Sequence, residues 1–228
     1  MSERKKHHMK GLIGKKAGMT QIFNAEGNAI PVTVIDVTSV EVVGKRTMAT
    51  DGYNALVFGL RDAKEKHLTK PELGSFKKKG VTPKRELREL RCTEEFSGKF
   101  EIGQPYKLDE IFQVGQRVDT RGITNGRGFT GVMRRWNFCG AATDTHGTHE
   151  YHRHGGSIGT NMTPGRTLPN VKMPGQYGNE TVSILNLKVA RIDADKGLLM
   201  IEGGIPGSKN GIVLVRHAVK TRVRKAGR

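Results

Sequence analysis

Residues 181–216 of the chain, TVSILNLKVARIDADKGLLMIEGGIPGSKNGIVLVR, decide its fold class. In residues 181–192, apolar side chains alternate along the chain with a period of two, which is typical of a β-strand. The sequence Asp193-Ala194-Asp195-Lys196-Gly197 then predicts a turn. Residues 198–202 and 212–216 are two further strand-like runs separated by a glycine-rich loop. This stretch therefore predicts three antiparallel strands joined as a meander.

The first part of the chain also favours β-structure. Residues 18–37 predict a hairpin around residues 24–28, and residues 53–60 and 116–124 predict further strands. Residues 69–79 predict a short helix, because Thr69 caps it, Pro71 fits the first turn and Glu72 completes a capping box. Residues 84–91 (KRELRELR) fit a helix or a strand, and residues 107–112 fit a single helical turn. Many short strands and few helices predict a mainly β chain folded as a barrel or sandwich.

The strand-like pattern breaks off at residues 121–172. This segment contains seven Lys and Arg residues and two acids, many glycines and few apolar residues. Such a segment cannot bury a core of its own, so we expect a partner to order it. Its charge indicates an anionic partner, and its glycines allow that partner to approach the backbone closely.

The composition supports an anionic partner for the whole chain. The formal net charge of the 228 residues is +17 and the isoelectric point is about 10.1. Nucleic acid is the first candidate and an anionic membrane the second, but the chain has neither an apolar span nor a basic amphipathic helix. No signal peptide is expected, and Cys92 and Cys139 are expected to be free thiols in a reducing compartment. We therefore expect a cytoplasmic location.

Several motifs permit other functions. Residues 126–131 match the dinucleotide pattern G-x-G-x-x-G, but without the buried strand and βαβ unit that this function requires. His146, His149, His152 and His154 could hold a metal, although no ligand set fixes their rings. Cys139 or Ser157 with a histidine could act as a nucleophile, but no acid is placed to orient the base. Trp136 fits either a core position or a stacking platform for a base.

Six motifs, in order, resemble the universal L3 family of large-subunit ribosomal proteins. These are MKGLIGKKAGMT (residues 9–20), GRGFTG (126–131), RWNF (135–138), GSIG (156–159), TPGR (163–166) and KMPGQYGNE (172–180). The resemblance implies a translation-factor-like antiparallel β-barrel with a long irregular extension and one or two short helices. It implies a protein that is not an enzyme and needs no cofactor or metal. Where some bacterial members carry a methylated Gln after the tip Asn, this chain has Met162.

The resemblance also implies a domain organisation and a partner. Residues 9–120 and 180–219 are expected to form the barrel, with the helical insert near 69–79. Residues 121–179 are expected to form an extension that penetrates the RNA. Residues 1–8 are expected to be disordered, and residues 220–228 are expected to form a basic tail. The expected partners are large-subunit ribosomal RNA and neighbouring ribosomal proteins, with no membrane and no small-molecule substrate. The protein is expected to nucleate subunit assembly and to support the peptidyl-transferase centre, with Asn161 at the tip of the extension.

The predicted RNA-binding residues combine cations for phosphates, glycine for close approach, and polar or aromatic groups for bases. They are Lys15, Lys16, Arg121, Arg127, Gly128, Arg134, Arg135, Trp136, His152, Arg153, His154, Ser157, Asn161, Arg166 and Lys172. Two other classes of function stay open on the sequence alone. One is a metal-dependent nucleic-acid enzyme that uses the cluster from His146 to His154, and the other is a DNA-binding β-barrel.

Overall fold

A computed structural model describes residues 11–220, and in that part of the chain the fold is mainly β. The strands are β1 (Gly11–Phe23), β2 (Ala29–Asp36), β3 (Glu41–Arg46), β4 (Ala55–Asp62), β5 (Lys84–Arg91), β6 (Arg117–Ile123), β7 (Phe129–Thr130), β8 (Gly175–Gln176), β9 (Thr181–Asp193), β10 (Leu198–Glu202) and β11 (Ile212–His217). Six of them close a barrel in the order β1-β11-β6-β9-β10-β2. The predicted antiparallel barrel is therefore confirmed. The predicted N-terminal extension (1–8) and all of the basic tail except Lys220 lie outside the described residues.

The predicted hairpin at residues 18–37 is formed by β1 and β2, which pair antiparallel across the turn at residues 24–28. Leu12 and Ile13 are adjacent in β1, yet both are completely buried. Neighbouring residues of a strand point to opposite faces, so both faces of β1 are covered here. One face lines the barrel and the other packs against the rest of the core. This explains why the first four residues of β1 lack a polar face.

The predicted meander is wrong in one respect. Strand β10 pairs with β9, as expected, but its other neighbour is β2 rather than β11. Strand β11 lies instead between β1 and β6. The loop between β10 and β11 is long enough to cross to the other side of the sheet, and the crossing closes the barrel and leaves β10 and β11 without a free edge. Alternation along a strand cannot reveal this choice of neighbour.

The predicted alternation of β9 also breaks, at Asn186. This residue has a positive φ of 59°, and the pairing register between β6 and β9 shifts beside it. Its backbone N–H donates to the buried carboxylate of Asp119 at 3.0 Å. Beyond the bulge Val189 is fully buried, whereas Leu185, predicted to share its face, is largely exposed. One extra residue therefore reverses the face on which the apolar side chains lie.

A second sheet, in the order β3-β4-β5, shares a hydrophobic core with the barrel. The ambiguous residues 84–91 form a strand in it, because they pair along almost their whole length with β4, whose residues 55–60 are buried. Phe58 and Tyr106 meet edge-to-face at a centroid distance of 4.7 Å. The Tyr106 hydroxyl donates to the carbonyl of Gly11 at 2.8 Å, which ties this core to β1.

Four short α-helices occur in the described residues, where one or two were expected: α1 (Met48–Asp51), α2 (Lys70–Lys79), α3 (Glu94–Gly98) and α4 (Val132–Trp136). Two 3-10 turns, Glu65–His67 and Thr148–Glu150, accompany them. The predicted helix near residues 69–79 is α2, and its capping box is present. Residues 107–112 contain a single hydrogen-bonded turn on the carbonyl of Leu108.

The described chain divides into two compact units. The first, here called the barrel unit, comprises residues 11–123 and 181–220 and contains the barrel, the second sheet and helices α1 to α3. The second, the inserted unit, is Thr124–Glu180 and contains β7, β8 and α4.

Candidate nucleic-acid interface

The base of the inserted unit is held by backbone hydrogen bonds between its two ends. The N–H of Arg127 donates to the carbonyl of Tyr177 at 2.8 Å, and the N–H of Tyr177 donates to Gly128 at 2.9 Å. Strands β7 and β8 continue this pairing. Gly178, at a φ of +73°, lies so close to the carbonyl of Asn125 that a Cβ would overlap it. The glycine-rich residues 126–131 thus form a closed turn within this unit.

The sequence order around these glycines is strand, turn and helix, as in a dinucleotide-binding site. Helix α4 follows Gly131, but it has only five residues, and β6 before the turn pairs only with antiparallel strands. A dinucleotide site requires a parallel βαβ unit with a longer helix. The geometry of residues 126–131 is therefore that of a turn and not of a dinucleotide-binding loop.

Trp136 ends helix α4 and is anchored to the returning chain. Its indole Nε1 donates to the carbonyl of Met173 at 2.8 Å, and Arg135 Nη1 donates to the same carbonyl at 2.8 Å. The guanidinium of Arg135 lies 4.9 Å from the Trp136 ring centroid, and the Lys172 amine lies 5.8 Å from it. The side chain is 38% exposed. Trp136 therefore holds two chain segments together and still presents part of its ring to the outside.

Gly175 provides the space for this arrangement. A Cβ at that position would lie 2.5 Å from Arg135 Nη1, which is far inside van der Waals contact. A side chain at this position would push the guanidinium away from the Met173 carbonyl and the Trp136 ring. Arg135, Trp136 and Lys172, which were predicted separately as RNA-binding residues, are thus brought together as one cluster.

Residues 156–172 form an uninterrupted exposed run. The run contains only short turns, at residues 161–164 and 169–170, and none of its backbone N–H groups makes a hydrogen bond of good geometry to a backbone carbonyl. The N–H of Gly159 donates weakly to the hydroxyl of Ser157 at 3.4 Å. Met162 is 90% exposed, and Ile158 and Leu168 are exposed as well. The exposed apolar side chains favour burial against a partner, and the amides of the run are free to donate hydrogen bonds to it.

The cations of the inserted unit lack acidic partners. Its one ion pair joins His152 Nε2 to Asp144 Oδ1 at 3.4 Å, and it forms only when the histidine is protonated. Arg127 contacts the ring of Tyr177 at 5.3 Å. Arg134, Arg153 and Arg166 are exposed and form no ion pair within the described residues. Uncompensated positive charge therefore covers this unit.

The histidine cluster does not form a metal centre. His146, His149 and His152 line a shallow depression with Asp144. In residues 11–220, no group of three or more His, Cys, Asp or Glu side chains is arranged to hold a metal ion. His154 lies apart from the depression and packs edge-to-face on Tyr151 at 5.2 Å.

Three predicted RNA-binding residues belong to the barrel unit. Arg121 is exposed on β6, and Lys15 is half-buried on β1. The amine of Lys16 donates to the carbonyls of Ile205 at 2.8 Å and Gly207 at 2.9 Å, and burial lowers the pKa of this amine. Lys16 therefore fixes the loop between β10 and β11.

Sequence reasoning missed Tyr177, which contacts Arg127, and the carbonyl of Met173, which accepts from Arg135 and Trp136 in the cluster. Tyr177 lies within the quoted motif KMPGQYGNE, so its presence was visible, but its contact with Arg127 spans fifty residues. A backbone carbonyl leaves no signal in a sequence. Both Cys92 and Cys139 are free, as predicted, and burial raises the pKa of the Cys92 thiol. No helix in residues 11–220 has the length and apolarity to span a membrane.

These observations define a β-barrel protein with a cationic, largely uncovered inserted unit. Comparison with known proteins matches residues 93–198 to the family described as ribosomal protein L3. The large ribosomal subunit protein uL3 of Sorangium cellulosum is 60% identical over 212 residues, covering 93% of this chain and 90% of the relative. The uL3 proteins of Myxococcus xanthus (52% identical, 95% and 96% covered) and Anaeromyxobacter sp. strain Fw109-5 (46%, 94% and 92%) are also similar. The chain belongs to the ribosomal protein L3 family, which is a structural component of the large ribosomal subunit and not an enzyme.

Proposed function

We propose that this protein binds large-subunit ribosomal RNA directly and that the inserted unit Thr124–Glu180 makes the principal contact. The observation that carries this proposal is the exposed run 156–172, with its unpaired backbone amides and uncovered Ile158, Met162 and Leu168. Apolar side chains grouped on an exposed surface mark a site where a partner binds, and the amides beside them are free to donate hydrogen bonds to that partner.

The charge of the unit favours RNA as that partner. Arg127, Arg134, Arg153 and Arg166 have no acidic partner within the described residues, so each is available to neutralise a phosphate. Neutralised phosphates release condensed counterions, which drives binding and makes it fall steeply with salt. Exposed aromatic and aliphatic side chains suit the unstacked bases of folded RNA.

The predicted residues then take distinct roles. Arg135 and Lys172 position Trp136, whose exposed ring edge packs on a base or ribose. Gly128 allows the RNA backbone to approach, and His152, Arg153 and His154 face phosphates beside it. Ser157 and Asn161 offer hydroxyl and amide groups to bases, and Asn161 reaches the RNA near the peptidyl-transferase centre. In the barrel unit, Lys15 and Arg121 contact RNA, whereas two of the three N–H groups of Lys16 are engaged with the loop.

The wider role follows from this mode of binding. A protein that orders its own exposed chain and the surrounding RNA together supports an early step of subunit assembly. We propose this assembly role, support of the peptidyl-transferase centre, contacts with neighbouring large-subunit proteins and a cytoplasmic, ribosome-bound location. In these roles the protein would stabilise the folded structure of the catalytic RNA.

The test compares two arginine pairs in the full chain. Arg153→Gln with Arg166→Gln removes charge from the inserted unit, and Arg85→Gln with Arg191→Gln removes the same charge from exposed, unpaired positions of the barrel unit. Affinity for protein-free large-subunit RNA is measured from 50 to 400 mM salt, on the order of the range in which such contacts are lost. We expect the first pair to lower the salt slope by about 2 and the second to leave it nearly unchanged.

Equal slopes for the two pairs would contradict the proposal. Duplex DNA of the same length serves as competitor in the same assay. Stronger competition by DNA than by unrelated RNA would support a DNA-binding barrel instead.

A further inference from the structure

Helix α2 (Lys70–Lys79) and the residues just before it, which lie beside the second sheet in sequence, carry a dense group of exposed lysines. On that sheet Arg46 lies 2.7 Å from Asp51, Lys84 lies 2.7 Å from Asp62, and Arg61 lies 3.5 Å from Glu86. The exposed lysines on and beside α2 have no such partner within the described residues; they are Lys64, Lys66, Lys70, Lys77, Lys78 and Lys79. Three cations of the sheet are therefore paired with acids, whereas the lysines on and beside α2, like Arg85 and Arg88 of β5, have no ion pair in the described chain.

The helix turns these lysines outward. Phe76 is its one buried residue and packs with Val43 and Val81. At 3.6 residues per turn, positions 70, 74, 77 and 78 follow the spacing i, i+4, i+7 and i+8, which places them on one face. That face points away from Phe76. Here it is called the α2 face.

Gly74 lies in the middle of the α2 face. Glycine is the poorest helix former after proline, so an exposed glycine inside a helix weakens it. Internal packing does not require it, because a Cβ at Gly74 would meet no atom within 4 Å. Its effect is to leave bare backbone between Lys70 and the pair Lys77 and Lys78, which suits close approach by another molecule.

The helix dipole does not explain the whole charge pattern. Cations in the last turn interact favourably with the negative end of the dipole, which accounts for the lysines at positions 77–79. Lys70, however, lies in the first turn, where a positive charge is unfavourable. Lys64 and Lys66 precede the helix altogether. A partner with negative charge accounts for Lys64, Lys66 and Lys70 as well as for the three lysines of the last turn.

We propose that the α2 face is a second RNA-binding surface, separate in sequence from the inserted unit, which binds the phosphate backbone. Lys70 and Lys77 are about 10 Å apart along the helix axis, since each residue rises 1.5 Å, so they reach different phosphates. Lysine acts on phosphate as a flexible point charge, and the face has no aromatic or amide side chain to read bases. The contact therefore fixes where the protein lies on the RNA and does not read the base sequence of the RNA. This inference rests on the proposed RNA-binding function.

The experiment uses three forms of the full chain beside the wild type. The first carries Lys70→Gln, Lys77→Gln and Lys78→Gln. Its control carries Lys99→Gln, Lys107→Gln and Lys196→Gln, which are equally exposed, unpaired positions of the barrel unit. The third is Gly74→Leu, which fits the open space, strengthens the helix and covers the bare backbone.

Binding to protein-free large-subunit RNA is measured as a function of salt. We expect the α2 triple variant to weaken binding at least about tenfold at moderate salt and to lower the salt slope by about 3. The control triple variant is expected to stay within about twofold of the wild type. Gly74→Leu is expected to weaken binding several-fold with an unchanged salt slope, while its thermal midpoint does not fall.

The same losses in both triple variants would overturn the α2 face as a specific surface, and so would unchanged binding by Gly74→Leu. Normal RNA binding by the α2 triple variant, with loss of an acidic neighbouring protein from reconstituted subunits, would assign the face to a protein partner and also overturn the proposal. A wild-type protein that fails to bind RNA would instead overturn the proposed function, and the α2 face with it.

Discussion

Trp136 lies where a helix end, a returning chain and two cations meet. Its indole N–H and the Arg135 guanidinium share the Met173 carbonyl, and Lys172 lies near the ring. The sequence left open whether this residue belongs to a core or forms a stacking platform. The geometry gives it an anchored edge and a partly exposed ring, so it has a structural part in the inserted unit and a surface that a base can reach.

Two substitutions separate the anchoring role of Trp136 from its role as an exposed ring. Trp136→Phe keeps an aromatic ring but loses the indole hydrogen bond, which contributes about 1 kcal/mol. Trp136→Ala also removes the cation–π contacts and the stacking surface, worth about 1–3 kcal/mol toward a base. We expect Ala to impair large-subunit assembly strongly and Phe weakly, with the barrel unit folded in both. Loss of the barrel's thermal transition in Trp136→Ala would show that the residue is a core residue.

Lys16 and Lys15 are neighbours on β1 with different surroundings. Lys16→Met leaves the carbonyls of Ile205 and Gly207 without their donor, and we expect a loss of about 1–2 kcal/mol in the free energy of unfolding. Lys15→Met breaks no hydrogen bond to the protein and serves as the matched control. Denaturant unfolding measures both, and an equal effect of the two substitutions would contradict a structural role for Lys16.

Helix α2 shows how far local sequence signals reach at the scale of an element. Thr69, Pro71 and Glu72 predicted its start, and the structure contains both hydrogen bonds of the capping box. The bonds from Thr69 to Glu72, from its N–H at 2.9 Å and its hydroxyl at 2.8 Å, hold the pKa of that carboxyl below its ordinary value.

This shift predicts a pH dependence of stability. Because the folded-state pKa of Glu72 is depressed, its contribution is present above the ordinary glutamate pKa and is lost as the pH falls through the lower, folded value. Glu72→Gln should therefore lower the thermal midpoint near neutral pH and have little effect in strong acid. The difference between wild type and variant is measured across the acid range, and a difference that does not shrink on acidification would contradict the assignment.

Strands illustrate what a sequence predicts and what it does not. The hairpin of β1 and β2 and the strand character of β9 to β11 followed from alternation and turn residues, which are local. The position of β11 between β1 and β6 depends on closure of the barrel, and the reversal of β9 depends on the bulge at Asn186. Residues 84–91 became a strand because a buried neighbour supplied the pairing. Each of these outcomes is set by contacts between distant parts of the chain.

In the candidate interface too, local properties were predicted and contacts between distant residues were not. Charge and glycine content identified the region of the inserted unit and its exposed cations, because these are properties of composition. The cluster of Arg135, Trp136 and Lys172 around the Met173 carbonyl was not predicted as a unit, since it joins residues about 37 positions apart. The engagement of Lys16 with the loop was missed for the same reason.

At the scale of the whole molecule, the protein combines a barrel unit with a continuous core and an inserted unit with an exposed run. Apart from loose turns at residues 161–164 and 169–170, the backbone amides of residues 156–172 have no intramolecular backbone acceptor. We expect them to exchange hydrogen rapidly in the free protein and to be protected when RNA is bound, while β1 and β4 are protected in both states. Mass-spectrometric hydrogen exchange measures both regions. Strong protection of residues 156–172 in the free protein would contradict their dependence on a partner.

The central claim is that the exposed run meets the RNA of the large subunit near the peptidyl-transferase centre. A variant with Cys92→Ala, Cys139→Ser and Asn161→Cys carries one thiol, to which a hydroxyl-radical source is attached before reconstitution into large subunits. A second variant places the thiol at Lys196 instead. We predict cleavage of the RNA around the peptidyl-transferase centre from position 161 and not from position 196. The same cleavage from both positions, or none in that region from position 161, would contradict the account.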